Sequence, residues 1–301
     1  MTALLSMLQS NASKPKSEDS DNGSGVQEDA LLAVSSLVDV LGERFLKYLD
    51  SLLPCLVPCL MSMHDTQVCF NAIGLVTDLY RNLGKHMLPH TQGVFQLLMT
   101  ILQDSSVDKS LRPAIIDVFS DFSIALGAEV DPFLLPMLEI LQTATQANVD
   151  VNDPDMVDYL LQLRASCLEA YIGILHGLKD DPNTRQNSYE VFMAQTPYVI
   201  QFITHVCEDF NVVEEIITHS CGLIGDFVGA YGVKMLPLVD NESISKILSR
   251  GRRGKNQRTR NYATWATKEI KKLQSAMSGN ADSSGLSASG GTLQPINVGQ
   301  R

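Results

Sequence analysis

Three times in this chain an Asp is followed six residues later by a glycine, and then, a short way on, by Leu-Pro. The sets are Asp78, Gly84 and Leu88-Pro89; Asp121, Gly127 and Leu135-Pro136; and Asp226, Gly232 and Leu236-Pro237. Each glycine closes an apolar run, and Leu41-Gly42 closes another. Gly42 to Gly84 is 42 residues and Gly84 to Gly127 is 43. Gly232 follows 105 residues later, which fits two repeats plus an insertion. Glycine takes the left-handed conformation that ends a helix. Proline suits the first turn of the next helix, where no amide donor is needed.

A period of about 40–47 residues with two helices per repeat marks a HEAT or armadillo solenoid. The pattern predicts an all-α, right-handed HEAT-repeat array of about six helix pairs over residues 1–274. First helices are expected near 1–9, 45–62, 87–103, 132–147, 190–208 and 237–250. Second helices are expected near 28–41, 67–83, 110–126, 155–178, 212–231 and 256–274. In 110–126 the residues Leu111, Ile115, Val118, Phe119, Phe122 and Leu126 form one stripe at three-four spacing, with Asp117 and Asp121 opposite. Two segments, 10–28 and 275–301, are Ser-, Gly- or Asp-rich without an apolar face. They are expected to be flexible, because they bury too little to offset ordering. Strand signals are absent.

Charge is unevenly placed. Residues 1–249 carry 13 Lys/Arg against 32 Asp/Glu, while 250–272 carry nine basic residues and one acid. An acidic body disfavours nucleic acid and favours a basic partner. No apolar run looks long enough to span a bilayer, and residues 1–10 lack the basic start of a signal peptide. Six cysteines in 301 residues do not make a disulfide scaffold, and fit a reducing compartment.

No catalytic constellation is present, so no enzyme activity and no cofactor are expected. Cys55, Cys59 and His64 lack the further ligands of a metal site, and the thiols read as small buried apolar groups. On helix 155–178, Val157, Leu161, Leu168, Tyr171, Ile172 and Leu175 face the core. Asp155, Asp158, Gln162, Ser166 and Glu169 form an acidic and polar rail on another face. Carboxylates in a first turn also suit the helix dipole, so the residues alone leave a solvated face and a ligand-facing rail both open. Gly222, Gly225 and Gly229 share a face of helix 212–231, where a neighbouring helix or a bound one approaches closely. Trp265 is the single tryptophan, a core or an anchor residue. The run Arg250, Arg252, Arg253, Lys255, Arg258 and Arg260 reads as a solvated loop or as a localisation signal.

Several strings carry a resemblance: Val26-Gln27-Glu28-Asp29-Ala30-Leu31, Asp155-Met156-Val157-Asp158-Tyr159-Leu160, Ser166-Cys167-Leu168-Glu169-Ala170-Tyr171, Gly222-Leu223-Ile224-Gly225-Asp226, and Gly251-Arg252-Arg253 followed by Ala263-Thr264-Trp265-Ala266-Thr267-Lys268-Glu269. In order and spacing they resemble the C-terminal third of the importin-beta family of nuclear import receptors. The resemblance covers about 1–274 and lacks the N-terminal two-thirds, which in the family holds the main RanGTP site and a principal nucleoporin site. It implies a receptor fragment of cytoplasm, nucleus and nuclear pore, with importin-alpha, Phe-Gly nucleoporins and the small GTPase Ran as partners. It implies neither membrane insertion nor nucleic-acid binding. Asp158 and Glu169, with Asp155 on the same rail, would face the basic importin-beta-binding helix of importin-alpha. Trp265 would pack on that helix, and Asp121 and Asp226 are further candidates. Their recurrence at one repeat position equally fits a structural hydrogen bond. The competing reading is a HEAT-repeat scaffold subunit of another complex.

Overall fold

The computed structural model describes residues 2–10, 21–181 and 186–284, and among these every regular element is a helix. The first pair is α1 (Thr2–Ser10) and α2 (Asp21–Leu41), the second α3 (Leu46–Leu60) and α4 (Thr66–Leu83). Then follow α5 (Leu88–Gln103) with α6 (Leu111–Leu126), and α7 (Asp131–Thr145) with the long α8 (Pro154–Asp180). The fifth first helix is broken into α9 (Gln186–Ala194) and α10 (Thr196–Glu208), paired with α11 (Glu214–Tyr231). The sixth is broken into α12 (Leu236–Val239) and α13 (Glu242–Arg252), paired with α14 (Gln257–Ser284). The chain is a HEAT/armadillo-like helical solenoid.

The repeat punctuation works through one backbone device. Gly42, Gly84, Gly127 and Gly232 have φ of 52°, 54°, 57° and 57°, the only positive values among the described residues. Where ψ is defined it is −131°, −124° and −135°, at Gly84, Gly127 and Gly232. That is the mirror image of extended backbone rather than the left-handed helical region predicted, and a Cβ disfavours it strongly. A 3-10 turn follows each glycine and drops its last residue into the core: Phe45, Met87, Val130 and Met235. Pro89 and Pro237 then sit in a first turn as predicted. Pro136 does not, because Pro132 takes that place in α7 and Pro136 lies inside the helix.

Two predicted first helices are interrupted where the sequence offers a competing start. Pro197 opens α10 after Gln195. Asn241 caps α13 by accepting the Ile244 N–H at 3.0 Å. Of the two segments expected to be flexible, Asp21–Glu28 lie in α2, and α14 runs on to Ser284. The rest of both segments, 11–20 and 285–301, lies outside the described residues.

Each second helix packs on the next, in the order α2, α4, α6, α8, α11, α14, whereas the first helices meet one another far more sparsely. Closer spacing on one side curves the stack, so the second helices form its inner wall. Leu111, Ile115, Val118, Phe119, Phe122 and Leu126 of α6 are all fully buried, as their spacing predicts. Phe122 meets Tyr80, Phe95 and Phe133 at ring distances of 5.0, 5.8 and 5.2 Å, joining three repeats into one core. At the centre of the array α6 and α8 approach so closely that a Cβ on Gly173 or Gly177 would strike the backbone at Ser120 or Ser123.

All six cysteines are buried and none is in a disulfide. Burial pushes the Cys59 and Cys69 thiols up to about 11, so they pack as neutral groups. One stretch, Glu214–Val239, is long and apolar enough by length and composition to cross a membrane, contrary to the sequence reading. Its apolar character reflects the core: α11 is packed by α8, α10, α13 and α14.

Candidate functional site

The inner wall carries two adjoining clefts. The first, about 620 Å³, lies between α8, α11 and α14 and is lined by Asp158, Leu161, Gln162, Glu169, Glu215, His219 and Arg258 among others. The second, about 410 Å³, lies between α4, α6 and α8 and is lined by Phe70, Asp78, Arg81, Asp121 and neighbours. Asp117 and Glu169 line both, so the clefts form one channel across five second helices. Six carboxylates border it, against Arg81, Arg258 and His219.

Helix geometry places these groups. Asp117 and Asp121 are one turn apart on α6, and Asp158, Gln162, Ser166 and Glu169 recur at three-four spacing on α8. Asp153 caps α8, accepting the Asp155 and Met156 N–H groups at 3.0 and 3.3 Å, and so sets the start of the rail. Ser166 lines the cleft with Asp158, Gln162 and Glu169 of the predicted rail, but it is 3% exposed and hydrogen-bonded to Asp117, bridging α8 to α6. Val157, Leu161 and Ile172, predicted for the core face, are only partly buried, and Leu161 lines the channel. Burial pushes the Asp117 carboxyl up to about 6; the Ser166 hydrogen bond opposes this, and Glu169, Glu215 and Asp121 add to it.

Cross-repeat pairs tie the wall together. Arg81 donates to both Asp121 oxygens, from Nε at 3.2 Å and Nη2 at 2.9 Å. His176 Nε2 lies 3.1 Å from Asp226 Oδ2, and His219 Nε2 lies 3.4 Å from Glu169 Oε2. Ser35 donates to Asp78, the equivalent position one repeat earlier. The recurring Asp of the repeat therefore has an inter-repeat partner in all three copies. Deeper in the wall, Arg164 donates to Asp209 at 2.6 Å and holds that carboxyl below the usual range.

Of the six predicted contact residues, Asp158, Glu169 and Asp121 line the channel. Asp155 is exposed at the start of α8 and lines neither cleft; Asp226 and Trp265 also lie outside the lining. Trp265 is partly buried, with its ring against α11 at Gly225, where a Cβ would collide with it. Tyr262, one turn earlier, lies over Gly222 with more room, since a Cβ there would sit 3.6 Å from the ring, an ordinary contact. The α11–α14 packing thus requires a glycine at Gly225 alone, while Gly229 has open space beside it. Sequence reasoning named Asp117, and Arg258 within the basic run, but neither as a channel residue, and missed Glu215 and His219. Their only signal was position: each falls on the inner face once the helix phases are fixed. No group of His, Cys, Asp and Glu suited to a metal ion occurs among the described residues.

Comparison with known proteins agrees with this architecture. A family model described as importin subunit beta-1-like, TPR repeats, matches residues 1–252. Importin subunit beta-1 of Schizosaccharomyces pombe is 30% identical over 251 residues, covering 82% of this chain and 28% of its own length. Importin subunit beta-1 of Saccharomyces cerevisiae is 26% identical over 252 residues, with coverage of 82% and 28%. The chain therefore spans little more than a quarter of the length of these relatives. A crystal structure of importin beta superposes with a TM-score of 0.80 at 25% identity, over 90% of this chain and 32% of that one. A designed armadillo repeat protein, at 11% identity and a TM-score of 0.60, shares the fold alone. On the family match and the shared helical architecture, the chain belongs to the importin subunit beta-1-like family.

Proposed function

We propose that this chain is the adaptor-binding part of a nuclear import receptor, and that its inner channel receives the basic importin-beta-binding helix of importin-alpha. The observation that carries this reading is the acidic channel shared between two clefts at Asp117 and Glu169. A basic helix laid across the second helices would meet Asp158 and Glu169 first, with Asp155 flanking the entry. Trp265 would supply an apolar anchor from its open side. Asp121 and Asp226 contribute to the field, but their inter-repeat partners hold them at 2.9 and 3.1 Å, closer than His219 holds Glu169 at 3.4 Å, and they are the weaker contacts. Family membership supports a role in protein transport between cytoplasm and nucleus, as a binding protein rather than an enzyme. Nucleoporin Phe-Gly repeats and Ran are proposed as partners of the same receptor. The fold neighbours include Kap95 in a complex with Nup1, a likeness that carries the fold only.

The test is binding of an importin-alpha N-terminal basic peptide across a range of salt. Charge-driven docking predicts affinity that falls steeply between low and physiological salt. Affinity that stays level across that range would remove the channel as the docking site.

A further inference from the structure

The basic run of residues 250–260 does not form one patch. Arg252 Nη1 donates to Thr267 Oγ1 at 2.7 Å. Arg258 stacks over Tyr262 and faces the acidic channel. Arg260 closes the loop onto the Gly254 and Lys255 carbonyls at 2.8 and 2.6 Å. The remaining three, Arg250, Arg253 and Lys255, line a separate cleft of about 620 Å³ together with Lys246 of α13. It shares no lining residue with the acidic channel.

This cleft is preorganised. Arg250 Nη1 donates to the Cys207 carbonyl at 3.1 Å, and Arg253 Nη2 to Ser249 Oγ at 2.9 Å. Both guanidinium groups are thereby held in place with further donors to spare. Glu214 is the one acid in the lining, and it accepts the Asn256 N–H at 2.6 Å, fixing the loop that carries Lys255. Lys246 is paired with Glu242 on the same helix at 2.8 Å, and Arg250, Arg253 and Lys255 against Glu214 still leave a positive cleft on an otherwise acidic body, with the N-terminus of α14 beside it adding to the potential.

We propose that this cleft binds a phosphate monoester presented on a phosphoserine or phosphothreonine of a partner peptide. Arginine forks match phosphate oxygens bidentately. A phosphate monoester brings about −1.5 to −2 charges and several acceptors, enough to engage several cations, whereas a carboxylate brings one charge. The cleft is larger than a lone phosphate, and Val212 and Ile217 give it an apolar wall for flanking side chains.

The probe is a fluorescent peptide with one phosphoserine between apolar residues, titrated beside its serine twin at about 0.15 M salt. The phosphopeptide is expected to bind at least tenfold more tightly. Arg253→Gln is expected to abolish that preference. Lys255→Gln, on an exposed side chain that the fold does not need, is expected to weaken it severalfold. Both variants should bind the basic importin-alpha peptide as the parent does, which separates this cleft from the channel. Equal affinity for the two peptides overturns the proposal, as does an unchanged preference in folded Lys255→Gln. Inorganic phosphate competing as well as the phosphopeptide would make this a free-anion site instead. Tighter binding of a short oligonucleotide would make it a polyanion surface, and either outcome also overturns the proposal.

Discussion

The Trp265 ring on α14 lies against Gly225 on α11, at a separation that leaves no room for a Cβ on that glycine. One face of the indole is therefore fixed by helix packing, and the residue remains partly exposed. This is neither the core tryptophan nor the free surface anchor that the sequence set against each other. A ring held on one side loses little freedom on binding, which suits an anchor.

The relationship gives two matched variants. Trp265→Ala should cost about 2 kcal/mol in binding the basic importin-alpha peptide, chiefly through faster dissociation. It should also lower stability, but by less than the 3–5 kcal/mol usual for a fully buried Trp. Gly225→Ala changes no charge and gains about 1 kcal/mol in helix propensity. It nevertheless overpacks the ring, at a cost of about 1–3 kcal/mol, so peptide affinity should fall with Trp265 still present. Binding kinetics and thermal unfolding on both variants decide the point. Normal peptide binding by folded Trp265→Ala would remove this residue from the site.

Glu169 tests charge steering apart from anchoring. Its carboxylate lies 3.4 Å from His219, and its side chain is 41% exposed. Glu169→Gln should weaken the peptide by about 1 kcal/mol or less, with part of the loss in the association rate. The loss should shrink as salt rises. Stopped-flow association at low and physiological salt reads this directly, and an unchanged rate at low salt would count against Glu169.

The repeat was legible because its signals are local and physical. Gly42, Gly84, Gly127 and Gly232 sit where only glycine is at ease, and the α6 stripe repeats at helical spacing. The breaks at Gln195 and Asp240 were missed because an apolar face runs through both, while a proline and an Asn cap decide the local backbone. Site residues were legible only as far as helix phase goes. Asp158 and Glu169 followed from the phase of α8. The Ser166–Asp117 bond, the His219–Glu169 contact and the splitting of the basic run depend on how one helix sits against the next, and no spacing within one helix encodes that. The recurring Asp showed the opposite case: its repetition was visible, and the structure assigns it inter-repeat partners.

Asp117 predicts a pH dependence of stability. Burial raises its carboxyl from 3.8 to about 6 in the folded chain. Between those values the folded state holds a proton that the unfolded state has released. Stability therefore falls as pH rises from about 4 to about 6, and stays at the lower level above that. Asp117→Asn, which mimics the protonated form, should match the parent at pH near 4 and exceed it at neutral pH by about 1–2 kcal/mol after allowing for screening at the cleft. Chemical denaturation at both pH values checks this. A variant less stable than the parent at neutral pH would mean that a partner holds Asp117 ionised.

Two arginines line the acidic channel, and while Arg81 is bound to Asp121 across the repeat, Arg258 lies at the other end. It lines the cleft with Glu169 and Glu215, and its guanidinium sits 5.4 Å from the Tyr262 ring centre. Its pKa is raised first by the hydrogen bond to the Tyr262 hydroxyl and then by charge, including that of Glu169 and Glu215. A basic ligand entering this cleft meets a fixed like charge and two carboxylates already partly neutralised. Arg258→Gln should therefore tighten binding of the basic peptide, by about 0.5–1 kcal/mol at low salt, which is roughly two- to fivefold. The gain should lie mainly in the association rate and fade as salt rises, because it comes from the field rather than from new contacts. Tyr262 keeps its place over Gly222 without the arginine, so unfolding should shift little. The phosphopeptide cleft, which does not include Arg258, supplies the control, since its affinity should not rise. Weaker basic-peptide binding by Arg258→Gln would mean that the arginine contacts the ligand directly rather than opposing it through the field.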